Sequence, residues 1–311
     1  MADIKTWIMA SRAPFFVAVI IPCLLGTSIA WSHGDFNALL FVLVLVGVIM
    51  LNAGTNFVND HFDYRKGKGS DAINVGRTPF SGGSPFLPEK ILKPEKVLLA
   101  GIICFAAAAA IGIYLAVRTD IMILIFVVTG VLIGYFYTAP PIQLGYRGVG
   151  EFFTGLSLGP LIVLGTYYVF VQSMALEPII AGIPVGILVA AILWVNEIPD
   201  YEADKKTGKN HLIVRLGKAK SASLIPLLFI SAYLSIIAGV LTKIMPWTTL
   251  IALFTAPIAI KVVKTAKENY DDAPKYMPAM AQTIMTHSVT GVLLCIGYAA
   301  CVIIFNNTCL L

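Results

Sequence analysis

The sequence predicts an all-α membrane protein with nine transmembrane helices and a cytoplasmic N-terminus. Three observations predict it. The 311-residue chain is 58% hydrophobic and only 13% charged, against about 25% charged in soluble domains. Its mean hydropathy is +0.85, and the apolar excess runs along the whole length, so a globular enzyme with a single anchor is excluded. The basic residues also fall on one side of the proposed membrane.

Apolar stretches of about the ~20 residues needed to cross a bilayer lie at 13–32, 37–57, 97–117, 121–138, 153–173, 178–196, 222–242, 245–263 and 284–305. Pro22, Pro160 and Pro184 fall inside spans, where neighbouring helices re-satisfy the freed backbone. With the N-terminus inside, the cytoplasmic segments are 1–12, 58–96, 139–152, 197–221 and 264–283, with span ends taken loosely. They hold 20 of the 22 Lys and Arg residues, leaving Arg118 and Lys243 outside. Cytoplasmic loops carry such a bias, and a miscount of one span would scatter it. The net charge of +5 is accounted for by topology and anionic lipid, so no nucleic-acid partner is expected. The first apolar run starts at Pro14 without an A-x-A-like site, so residue 1 is expected to belong to the mature chain. Cys23, Cys104, Cys295, Cys301 and Cys309 form no C-x-x-C pair and read as small hydrophobes. His61 and His211 are notable only for their neighbours.

Two stretches break the apolar pattern on the predicted cytoplasmic side. The second span runs into NFVNDHFDYRKGKGSD, residues 56–71, and the sixth into NEIPDYEADKKTGKN, residues 196–210. Residues three and four apart on a helix share a face. Asn56, Asp60 and Asp63 therefore point one way, as do Asn196, Asp200 and Asp204, with Pro199 a possible bend. Clustered carboxylates near a membrane need a positive partner. All-oxygen sets of this kind suit Mg2+, which is commonly held by one or two carboxylates plus substrate phosphates. Bases follow each cluster: Arg65, Lys66 and Lys68, then Lys205, Lys206 and Lys209. The matching form suggests an internal duplication, with halves of roughly 13–173 and 178–305 in one polytopic domain, 1–311. A diphosphate bridged by magnesium becomes a leaving group. An allylic hydrocarbon attached to it would ionise to a carbocation needing a dry, apolar cavity. Candidate lining aromatics are Phe57, Phe62, Tyr64, Tyr135, Phe136, Tyr137, Tyr167 and Tyr168.

With NDHFD and DYEAD in view, the chain resembles the UbiA superfamily of intramembrane prenyltransferases. The family's N-D-x-x-D motif with an upstream Asn matches Asn56, Asn59, Asp60 and Asp63. Its D-x-x-x-D motif followed by Gly matches Asp200, Asp204 and Gly208. The resemblance covers nearly the whole chain. It implies two helical bundles around a central cavity open to lipid, capped by the motif-bearing loops 59–96 and 197–221. It implies two Mg2+ ions, with Asp60, Asp63, Asp200 and Asp204 as catalytic metal ligands assisted by Asn56 and Asn196. Substrate-binding roles extend to Asn59, Arg65, Lys66, Asp71, Arg77, Tyr137, Arg147, Lys205 and Lys209.

The segments RTPFSGGS, YTAPPIQLGYRGVGEFFTGLSLGPLIVLGTYYV and DYEADKKTGKNHLIVRLG look most like the 1,4-dihydroxy-2-naphthoate prenyltransferases of menaquinone biosynthesis. There the acceptor ring carbon attacks the cation and its carboxylate leaves as carbon dioxide. The chain departs from the pattern at Gly67 and Gly69, where a third acid is usual, so that the next acid is Asp71. It departs again at His211, which stands where Thr is common. The expected partners are a polyprenyl diphosphate, a small aromatic acceptor and the bilayer, with no obligate protein partner. The expected location is a prokaryotic plasma membrane with the site facing the cytoplasm. The alternatives are another acceptor (4-hydroxybenzoate, homogentisate or a glycerol phosphate lipid) and, remotely, a secondary transporter.

Overall fold

The computed structural model describes residues 3–65, 68–74 and 76–305. Among them there is no strand; the only bridge pairs Thr78 with Ser81. The elements are α1 (Ile4–Ala10), α2 (Val17–Ser32), α3 (Ala38–Tyr64), α4 (Ser70–Ile73), α5 (Pro94–Arg118), α6 (Ile123–Phe136), α7 (Gly150–Leu156), α8 (Ile162–Val171), α9 (Leu176–Thr207), α10 (Leu212–Leu216), α11 (Lys218–Leu241), α12 (Ala256–Asn269) and α13 (Ala273–Phe305). A π-helical turn at Ser157–Leu161 joins α7 to α8, and 3-10 turns lead into α2 and α12.

Eight helical segments among the described residues are long and apolar enough to cross a membrane. The expected span at 121–138 is a shorter apolar helix, Ile123–Phe136. Several expected spans lengthen in the structure. α3 and α9 run unbroken past their apolar parts through both acidic motifs, and α13 begins well before the apolar run at 284–305. Residues 59–64 and 197–207 are therefore helical, not cap loop. Pro199 lies inside α9 without ending it. Carrying the motifs on continuous helix fixes the three- and four-residue spacing that puts their acids on one face.

Local chemistry sets the helix ends. Asn37 caps α3, its side-chain oxygen accepting from the backbone N–H groups of Leu39 and Leu40 at 3.0 and 3.1 Å, a cap worth about 1 kcal/mol. α9 stops at Gly208, whose φ of 76° favours glycine, and Lys209 N–H closes on the Asp204 carbonyl at 2.9 Å. That turn swings Lys209 back over the motif it follows. Pro160 would leave a gap in a regular helix; the π-helical turn absorbs it. There the chain lies against α9 with backbone contact. A Cβ on Gly186 would come within 2.3 Å of the Gly155 carbonyl oxygen, the close small-residue approach that membrane helices use for packing.

The long helices close into a ring through the neighbours α2–α3, α3–α5, α5–α6, α6–α8, α8–α9, α9–α11, α11–α12, α12–α13 and α13–α2. Outward faces carry Leu39, Val42, Val46, Ile125, Val128, Leu132, Leu227, Ile230 and Leu234, all exposed. A band of this kind is unfavourable in water and suits lipid.

Candidate active site

The motif ends of α3 and α9 meet at one end of the ring, and each motif is braced by the segment that follows the other. Lys209, just beyond the second motif, donates to Asp63 of the first at 2.9 Å and lies 3.9 Å from Asp204. Asn74 and Gly82, beyond the first motif, donate to the two oxygens of Asp200, both at 2.8 Å. Arg65 donates to the Thr207 carbonyl at 3.3 Å and stacks on the Tyr146 ring. Tyr146 in turn donates its hydroxyl to Asp63 at 2.6 Å. Arg12 pairs with Asp60. Asp60, Asp63 and Asp204 are each 2% exposed or less, which a carboxylate accepts only with such partners.

Asp71 joins the first cluster. It is buried, and burial raises its pKa well above the carboxylate range, with the nearby charges of Asp63 and Asp60 adding to the rise. Its carboxylate needs Gly83 opposite, since a Cβ there would lie 1.9 Å from Oδ2. Arg77 does not face the acids. It ties the loop by donating to the Asp71 and Gly82 carbonyls at 2.6 and 2.8 Å, which holds the Gly82 N–H in place for Asp200. Burial alone would lower the Lys209 pKa, but Asp204 and Asp63 outweigh it and raise it well above the usual lysine value. Lys209 is therefore a fixed cation between the motifs.

A cavity of about 280 Å³ opens beside this cluster. Arg12, Asn52, Asn56, Asn59 and Tyr137 line its polar end. Val44, Leu115, Ile123 and Val169 line its apolar end. On α3 the lining runs from Val44 to Asn59, about 22 Å along the axis at 1.5 Å per residue. Of the eight expected aromatics only Tyr137 lines it. Phe126 does as well, whereas Tyr167 bonds His33 at 3.1 Å instead.

Other expected contacts fall elsewhere. Arg147 is exposed and donates to the Pro141 carbonyl at 2.9 Å, while its own carbonyl accepts from Arg215 at 2.6 Å. Lys205 is exposed and bonds the Tyr201 hydroxyl at 3.2 Å. Lys205 follows Asp204 directly in sequence and Arg147 is placed by the resemblance, but each side chain bonds elsewhere on the exposed surface. Lys66 lies outside the described residues. Conversely, Arg12, Tyr146, Asn74 and His211 touch motif acids without belonging to either motif. Arg12 read as a topology charge, though a base directly before the first span is also within reach of a motif at a span end. His211 holds the Asp204 carboxylate at 2.8 Å.

The residues fit magnesium. The donors are carboxylate and amide oxygens, and Asp60 Oδ2 and Asn196 Oδ1 are buried without a hydrogen-bond partner, as hard-cation ligands would be. Two acid clusters, fixed cations and an apolar cavity together suit an anionic headgroup bearing a hydrocarbon tail.

The chain belongs to the UbiA prenyltransferase family, whose model matches residues 19–289. It is 28% identical to a 1,4-dihydroxy-2-naphthoate octaprenyltransferase of Bacillus subtilis over 92% of this chain and 90% of that one. It is 27% identical to a 2-carboxy-1,4-naphthoquinone phytyltransferase of Synechocystis over 94% and 93%. Its fold is that of a UbiA homolog from Aeropyrum pernix, with a TM-score of 0.67 at 14% identity over 95% of this chain and 99% of that one. A UbiA homolog from Archaeoglobus fulgidus, bound to DMAPP and Mg2+, gives a TM-score of 0.60 at 15% identity over 93% and 98%. The chain is thus a membrane prenyltransferase.

Proposed function

We propose that the enzyme transfers a polyprenyl group from its diphosphate to 1,4-dihydroxy-2-naphthoate, at a site holding two magnesium ions. The observation that carries this is the crossed bracing of two aspartate motifs at the mouth of an apolar cavity. The names of the Bacillus subtilis and Synechocystis relatives support a naphthoate-type acceptor.

Asp60 and Asp63 with Asn56, and Asp200 and Asp204 with Asn196, would hold the metal. When bound, magnesium neutralises the diphosphate and makes it a better leaving group. Lys209 and Arg12 supply fixed positive charge beside the departing oxygens. The C–O electron pair leaves with diphosphate, and the resulting allylic cation lies in a cavity whose apolar wall excludes water. Tyr137 presents a ring at that end, which stabilises positive charge. An electron pair from the acceptor ring then forms the C–C bond. The acceptor's carboxylate leaves as carbon dioxide, and the pair from that bond restores the aromatic ring.

The test is product mass. Purified protein given several prenyl diphosphates with either dihydroxynaphthoate or 4-hydroxybenzoate should yield decarboxylated prenyl-naphthoquinol only with the first acceptor. A 4-hydroxybenzoate product of equal yield would move the enzyme to another branch.

The one-sided distribution of Lys and Arg supports a cytoplasmic N-terminus and motif face, and the bacterial relatives support a plasma membrane. With the native cysteines replaced by serine, a cysteine introduced at exposed Glu89 should react with an impermeant thiol reagent in inside-out vesicles alone. Labelling from the other side would reverse the orientation.

A further inference from the structure

Below the second motif lies a group of side chains that the transfer reaction does not use. Glu151 in the first turn of α7, Glu197 on α9 and His211 before α10 are 4%, 5% and 0% exposed. They bring one ligand atom each to within 4.8 Å of one another. Among the described residues this is the one group of three or more His, Cys, Asp or Glu side chains that converges so closely.

The orientations of Glu151 and His211 are each fixed by a bond at another atom. Leu212 N–H donates to Glu151 Oε1 at 2.9 Å, and Glu151 Oε2 is buried without a partner. His211 Nε2 lies 2.8 Å from Asp204 Oδ2. Donating there leaves Nδ1 with its lone pair free, and Nδ1 has no hydrogen-bond partner. It faces Glu197 Oε2 at 3.6 Å, an oxygen that is also buried and unpartnered. Two desolvated carboxylates side by side repel, and leaving them without a cation is costly. The nearby lysine, Lys209, is engaged by Asp63.

We propose that Glu151, Glu197 and His211 form a binding site for a first-row divalent cation of the zinc type, separate from the magnesium held by the aspartate motifs. The donor set decides the class. Magnesium takes oxygen ligands, whereas one imidazole with two carboxylates suits zinc and its neighbours. Tetrahedral bonds of about 2.1 Å put ligand atoms about 3.4 Å apart, close to the 3.6 Å between His211 and Glu197. The Asp204–His211 contact is the carboxylate–histidine pairing that orients metal-bound imidazoles. The ion would tie α7, α9 and the start of α10 together, and through His211 it would fix the Asp204 carboxylate. Asp204 thereby links the two metal sites.

The test uses full-length protein in detergent, stripped with EDTA, returned to saturating Mg2+ and titrated with Zn2+, with zinc counted after desalting. Wild type and Asp60→Asn, whose magnesium motif is damaged, should each retain one zinc per chain. The Glu151→Gln/Glu197→Gln double variant should bind zinc at least tenfold more weakly. Equal retention by the double variant, loss in Asp60→Asn, or no zinc on wild type would overturn the site. Should the double variant misfold, zinc-edge absorption on wild type decides. One imidazole nitrogen with oxygen ligands supports the assignment, and a sulfur ligand overturns it.

Discussion

The two acidic motifs look like copies of each other in sequence, yet the fold treats them differently. The first is surrounded by charge. Arg12 sits on Asp60, Lys209 on Asp63, and Asp71 adds a third carboxylate. The second is held mainly by uncharged donors and a histidine. Asn74 and the Gly82 amide grip Asp200, and His211 grips Asp204. Part of the difference is crossed service: Lys209, after the second motif, reaches Asp63 of the first, whereas Asn74 and Gly82, after the first, reach Asp200 of the second. Matching motifs therefore do not make matching half-sites.

However differently they are braced, both motifs should be needed for catalysis. Asp60→Asn and Asp200→Asn should each lower magnesium-dependent diphosphate release by about 10³-fold, the scale of losing a key electrostatic group. Full activity in either would leave its motif outside the chemistry.

Stability should separate the two regions next. Lys209→Met takes the cation from buried Asp63, leaving it the Tyr146 hydroxyl, and should destabilise the folded protein by about 3 kcal/mol. Asn74→Ala removes one neutral donor and should cost about 1–2 kcal/mol. Thermal melts in EDTA read both, and equal losses would erase the distinction between a charge-braced and a hydrogen-bonded motif.

The smallest effects belong to the bases that resemblance places in the site and the fold does not. Arg147→Ala and Lys205→Ala should change the KM for prenyl diphosphate by less than about threefold, as exposed charges generally contribute little. A tenfold rise in either would show that substrate binding draws that side chain inward.

The legible parts of the site are those written locally. Asn56, Asp60 and Asp63 share a helix face because of spacing alone, and so do Asn196, Asp200 and Asp204. Asp71 sat later than the family pattern expects, and only the close approach of Gly83 shows how it folds back onto the cluster. Tyr146 and Arg147 are adjacent in sequence, and residue order gave no means to tell which one faces the acids. Glu151 did carry a signal, being a carboxylate at the start of an apolar span. Its partner His211 lies sixty residues away in sequence, a pairing that no periodicity reports.

By itself the sequence determined the all-helical membrane architecture, the pair of acid motifs and the family. Hydrophobic run length, charge placement and helical spacing are properties of neighbouring residues. Only the tertiary structure decided which base meets which acid, how the motifs brace each other and where Glu151, Glu197 and His211 converge. Those depend on how helices distant in sequence pack, and that packing is set by small-residue contacts and buried polar satisfaction across the whole ring.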